Sequence, residues 1–123
     1  MDSLVFNFQT NNIPFILFIM RTFDHVGFLT TEMKEGASYN EGLRVWLTDY
    51  SKSPNKIEFL KFEEGSCMPE LIQKIPHIAY SVPNMEEALS GTKLLFGPAD
   101  VNESLTIAFI EEEGIPVELM EFK

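Results

Sequence analysis

Two stretches of the chain alternate small and large residues in the same way, and each opens on a histidine. In Phe23-Asp24-His25-Val26-Gly27-Phe28-Leu29-Thr30 and in Pro76-His77-Ile78-Ala79-Tyr80-Ser81-Val82, residues two apart share a face of a predicted strand. His25 then lies beside Gly27, with Val26 and Phe28 opposite. His77 lies beside Ala79 and Ser81, with Ile78, Tyr80 and Val82 opposite. Each stretch is followed by two more strand candidates. Arg44 to Thr48 and Lys56 to Phe62 come after the first, and Leu105 to Ile110 and Val117 to Phe122 after the second. The last strand of each set carries a glutamate between apolar neighbours. Glu58 shares its face with Leu60 and Phe62, and Glu118 shares its face with Met120 and Phe122. The chain therefore reads as two copies of one unit.

The second copy is fuller. Asn84 is a helix N-cap with Glu86 and Glu87 in the first turn, which predicts a short helix over Met85 to Ser90 that Gly91 ends. A strand over Lys93 to Phe96, a turn at Gly97-Pro98, and a hairpin broken at Gly114-Ile115-Pro116 complete it. The large apolar face of the strand from His77 is expected to pack on that helix, which leaves His77 on the opposite, concave face. The first copy is reduced. Thr31 to Gly42 is polar, contains Gly36 and Gly42, and has no apolar stripe at helical spacing, so an irregular loop with at most one short strand is expected. Asp49 to Asn55 reads as a hairpin turn.

The fold class that follows is α+β, two βαβββ modules of which the first lacks its helix, paired in the cupped mixed sheet that a family resemblance implies. The expected division is an N-terminal extension at 1–20, then a single domain at 21–123. Within it, module one spans 21–62, a linker with Gly65, Ser66 and Pro69 spans 63–75, and module two spans 76–123. The apolar run Ile13 to Met20, interrupted by Pro14, is too short to span a bilayer, and the acidic start Met1-Asp2-Ser3 does not suit a secretory signal. Two readings of this segment stay open. It is an extension preceding a natural start at Met20, or an extra strand that covers a sheet edge or a partner subunit.

Composition narrows the function. With 45% apolar residues and eleven Phe in 123 residues, the chain can bury one core. Nineteen acidic residues against nine basic ones give a net charge of −10, and the only arginines are Arg21 and Arg44. No cluster of Lys and Arg exists to neutralise phosphates, so neither nucleic acid nor an anionic membrane is an expected partner. A small-molecule substrate or ligand is expected instead. Cys67, alone in the chain, cannot form an internal disulfide, which fits a cytoplasmic location. It reads as a small half-buried linker residue. Glu111-Glu112-Glu113 reads as a solvated hairpin tip, Glu121 as exposed by parity, and Trp46 and Tyr39 as residues that could line the cup.

The His77-Ile78-Ala79-Tyr80 and Val117-Glu118-Leu119-Met120-Glu121 segments, with their counterparts in the first copy, resemble the vicinal-oxygen-chelate superfamily. That group contains glyoxalases, methylmalonyl-CoA epimerase, extradiol dioxygenases and bleomycin resistance proteins. The resemblance runs from about Phe23 to Phe122 and is weaker in the first half. It implies a divalent metal ion (Zn, Ni, Co, Mn or Fe) in the cup, held by His25, Glu58, His77 and Glu118. It further implies a metal-dependent lyase, isomerase or epimerase that abstracts a proton next to a carbonyl, with Glu118 or Glu58 as the general base. The scarcity of arginine argues against glutathione or CoA thioesters as substrates. The alternative is a non-catalytic, bleomycin-resistance-like protein that sequesters a small cationic or aromatic ligand in the same cup; a third is a degenerate member with an interaction role only. Exposed sheet edges and the habit of such relatives imply a homodimer, with residues 1–20 as part of the contact.

Overall fold

The structure, a computed structural model, describes residues 20–123, so the expected extension lies outside the described residues apart from Met20. Eight strands form one curled sheet: β1 (Thr22–Leu29), β2 (Ser38–Asn40), β3 (Val45–Leu47), β4 (Ile57–Phe62), β5 (His77–Ser81), β6 (Lys93–Asn102), β7 (Leu105–Glu112) and β8 (Ile115–Phe122). Their order across the sheet is β2-β3-β4-β1-β5-β8-β7-β6. The first strands of the two modules meet at the centre as an antiparallel β1–β5 pair, and each runs parallel to the last strand of its own module, β4 or β8. This places the two histidine strands side by side between the two glutamate strands. The cup therefore forms within one chain.

Burial follows the helices. In module two, α2 (Met85–Leu89) covers the outer face of the sheet and packs with Val82, Ala108, Ile110, Val117 and Leu119. A second cluster on the inner face joins Met68, Ile72, Ala79, Ile107, Phe109 and Met120. Strands β7 and β8 are thus covered on both sides, which explains their nearly continuous apolar runs. In module one no helix follows β1, and its outer face stays open among the described residues: Phe28 is 40% exposed. There Lys34 Nζ lies 4.6 Å from the centre of the Phe59 ring.

The caps of α2 are those the sequence predicts. Asn84 Oδ1 accepts from the Glu87 N–H at 2.9 Å. The Met85 N–H donates to Glu121 Oε1, also at 2.9 Å, so Glu121 is half-buried rather than exposed. Several other expectations differ from the structure. The segment 63–75 carries a short helix, α1 (Glu70–Lys74), whose buried Ile72 drops onto the inner face of the sheet. Gly97-Pro98 does not end a strand, because β6 continues through it with register shifts on both sides. Strand β6 is an edge strand, where a residue without an N–H need not break a ladder. Glu111 and Glu112 belong to β7, and Glu112 accepts two hydrogen bonds from Arg21 at 2.8 Å, so only Glu113 sits at the tip. Trp46 packs on Tyr39 with ring centres 4.9 Å apart, while their neighbours Val45 and Asn40 line the cup; parity sends the two aromatics to the other side. Cys67 is exposed. Among the described residues, no helix is long and apolar enough to cross a membrane.

Candidate metal centre

The strand register sets out the four predicted ligands as two crossed rows. Across β4, β1 and β5, Glu58 lies beside Gly27 and Gly27 beside His77. Across β1, β5 and β8, His25 lies beside Ala79 and Ala79 beside Glu118. Each row therefore holds one histidine, one glutamate and a small residue between them, and the two rows are neighbours because His25 and Gly27 are two apart on β1. The small residues leave the space into which the four longer side chains converge.

One donor atom from each of His25, Glu58, His77 and Glu118 lies within 4.8 Å of every other. Glu118 Oε1 stands 3.4 Å from His25 Nε2 and 3.2 Å from His77 Nε2, and Glu58 Oε1 stands 3.5 and 3.8 Å from the same atoms. Donors held about 2.1 Å from a shared ion would be separated by about 3–4 Å, so the spacing suits a small divalent cation. Both Nε2 atoms are buried and have no hydrogen-bond partner, so the nearby carboxylates do not satisfy them. Buried nitrogens without partners, facing two buried carboxylates, are what a transition-metal ion would relieve.

The electrostatics carry the same demand for positive charge. Burial works against a charged His25, but the carboxylates of Glu118 and Glu58 outweigh it and raise the imidazole to about 10. Burial also opposes the charged form of Glu118, yet the two imidazoles hold it down at about 2. For Glu58 burial wins, and its carboxyl is pushed up despite His25, with Glu118 adding to the rise. Two buried carboxylates side by side call for a cation between them, and a divalent ion would meet that need more fully than a proton on His25.

Two supporting residues escaped the sequence reading. Asp24 Oδ2 lies 2.7 Å from His25 Nδ1. With Nδ1 donating to Asp24, the neutral ring keeps its Nε2 lone pair for the centre. Adjacent strand residues ordinarily point to opposite faces, so parity argues against this contact. A register shift between Phe23 and His25, where two residues of β1 step past one of β5, turns Asp24 toward the ring. Tyr50, on the turn Tyr50–Lys52 between β3 and β4, stacks on the other side of His25 with ring centres 3.9 Å apart. Burial, and then the Asp24 carboxylate that it bonds, raise its phenol, so it stays protonated. His77 has different support: its ring lies over Gly27 and meets Phe109 edge-on at 5.2 Å. Asp24→Ala is expected to weaken divalent-ion affinity about 10- to 100-fold, measured against a competing chelator; an unchanged affinity would remove Asp24 from the site.

The ligands open into a cavity of about 130 Å³. Its wall is mainly apolar, with Val45, Leu60, Met68, Ile72, Phe109 and Met120 among the residues that form it.

No protein-family model matches the sequence. No curated protein matches it. Solved structures do. A hypothetical protein from Bacillus halodurans C-125 superposes with a TM-score of 0.60 at 22% identity, over 84% of this chain and 95% of that one. Methylmalonyl-CoA epimerase from Mycobacterium tuberculosis superposes with a TM-score of 0.57 at 19% identity, over 83% of this chain and 88% of that one. The chain has the vicinal-oxygen-chelate fold. Its first module lacks the helix found in the second, and both of its candidate ligands, His25 and Glu58, stand in the cluster.

Proposed function

We propose that this chain is a metal-dependent enzyme of the glyoxalase and epimerase kind, which removes and returns a proton next to a carbonyl of a small substrate. The observation that carries the reading is the pair of buried, partnerless Nε2 atoms on His25 and His77, facing Glu58 and Glu118 in the only cluster of this type among the described residues. His25, His77, Glu58 and Glu118 would hold the ion. When bound, a divalent ion in such a site polarises a carbonyl and acidifies the C–H beside it.

The chain's own residues divide the remaining work. Glu118 lies closest to the two imidazoles, at 3.2 and 3.4 Å, and acts as the fixed carboxylate. Glu58 stands further off, at 3.5 and 3.8 Å, and is the more exposed of the two side chains. It is the better placed to turn toward substrate, take the proton and give it back. Asp24 and Tyr50 fix the His25 ring. The apolar wall keeps bulk water from the carbanion-like state.

Metal content of the purified chain tests this reading. About one divalent ion per chain is expected after incubation with Ni²⁺, Co²⁺, Mn²⁺ or Zn²⁺, and none in His25→Ala/His77→Ala. A wild-type chain that takes up no ion would end the proposal. Tight ligand binding that persists in the double variant would instead favour a sequestering protein.

A further inference from the structure

We propose that the cup selects an uncharged molecule with a mainly apolar body, and that anionic substrates are excluded from it; this rests on the metal reading of the same site. All nine Lys and Arg residues of the chain lie between Arg21 and Lys123, and none of them lines the cavity. Several are committed elsewhere: Arg21 to Glu112, Arg44 to the Glu64 carbonyl, Lys61 to Glu63, Lys74 to Glu70, Lys93 to Glu111 and Lys123 to Asp100. The first nineteen residues contain no Lys or Arg.

The metal centre does not make up the deficit. Two carboxylates and two neutral imidazoles around a divalent ion sum to zero, so no net positive charge is left to hold a substrate carboxylate or phosphate. A charged ligand in this wall would lose its hydration and gain no partner. Among the described residues, the polar side chains of the wall besides the ligand set are those of Asn40 and Tyr50. Asn40 Oδ1 already accepts from the Leu43 N–H at 2.9 Å, and the Tyr50 hydroxyl is turned to Asp24. What remains is the Asn40 amide, a neutral donor. The cavity, about 130 Å³, lies below the about 300 Å³ at which drug-sized ligand sites begin, which limits the body to a small one.

Three probes of nearly equal size separate the charge classes: phenacyl alcohol (neutral), mandelate (anionic) and phenacylamine (cationic). Each is titrated into the Co²⁺-loaded chain and followed by the visible spectrum and by calorimetry. Phenacyl alcohol is expected to bind at least about tenfold more tightly than either charged probe. Mandelate or phenacylamine binding equally well or better overturns the inference, and so does a failure of all three to bind. Val101, which is 44% exposed and lines the cavity, offers a gain-of-function control. Val101→Arg supplies the missing cation and is expected to raise mandelate affinity about tenfold or more; no gain would overturn the charge argument. A chain that takes up no Co²⁺ sinks the metal reading separately. The same titration on the ion-free chain then decides the substrate class: preference for phenacyl alcohol supports it and preference for phenacylamine overturns it.

Discussion

Gly27→Ala is expected to abolish divalent-ion binding while the sheet still assembles. Gly27 lies between Glu58 and His77 in register, and the His77 ring occupies the space where a Cβ would project. The clash involves Cε1 and both ring nitrogens of His77, the whole edge that carries its donors, so no small adjustment relieves it. On its other side the ring meets Phe109, which limits retreat. The ring must therefore swing away, and its Nε2 leaves the cluster. The backbone at Gly27 is not in the left-handed region, so alanine suits the strand and the cost stays local. An overpacking penalty of about 1–3 kcal/mol is expected in stability, against a loss of at least about 100-fold in ion affinity. Metal content and thermal unfolding measured on the same sample separate the two effects. Full occupancy at unchanged affinity would show that His77 is not a ligand. The equivalent place in the other row is Ala79, where a Cβ is accommodated because the His25 ring stacks on Tyr50 instead.

That asymmetry marks how far the sequence could be read. The four ligands, and the small residues beside them, were legible because strand parity is strict and the two copies repeat it. His25 with Gly27 and His77 with Ala79 needed no knowledge of partners. Module two was legible for a similar reason, since the caps of α2 at Asn84 and Gly91 are local chemistry. Features set by distant pairing were not. Asp24 reaches His25 through a bulge defined by the register with β5. Tyr50 comes to His25 from a turn whose position depends on β3 and β4 lying beyond β1. Helix α1 is five residues long with one buried side chain, too short for any period to show. Trp46 and Tyr39 were candidates for the cup because they are aromatic, but the register with Val45 and Asn40 puts them on the other side.

The loss of the module-one helix bears on this comparison. In module two the helix seals the outer face and β7 and β8 become core strands. In module one the outer face is open among the described residues, yet β1 and β4 hold His25 and Glu58 in the same register relation that β5 and β8 give His77 and Glu118. The inner face is what both modules have in common, and the ligands all lie there. The absence of an outer helix in module one therefore does not disturb the placement of the four candidate ligands.

Saturating divalent ion is expected to raise the thermal midpoint by roughly 15 °C or more over the chelator-treated chain. An ion at a thousandfold excess over its dissociation constant adds about 4.1 kcal/mol to the folded state. In a domain of this size one kcal/mol moves the midpoint by about 4–8 °C. The ion-free chain should be correspondingly weak at this point, because Glu58 and Glu118 are buried together around two unsatisfied nitrogens. Glu58→Gln/Glu118→Gln separates the ligand role from a structural one. It removes the carboxylates that hold His25 in its charged form, so its ion-free stability at neutral pH is expected to fall below that of the ion-free wild type. It also removes two ligands, so added ion should no longer shift its midpoint. If the glutamates served only to pair with the histidines, the double variant would show the same loss, and neither chain would respond to metal. A wild-type chain without a metal-dependent shift, or a double variant with the full shift, would remove the four-residue cluster as the ion's site. A less stable double variant with no metal response in either chain would assign it instead to holding β1, β4, β5 and β8 together.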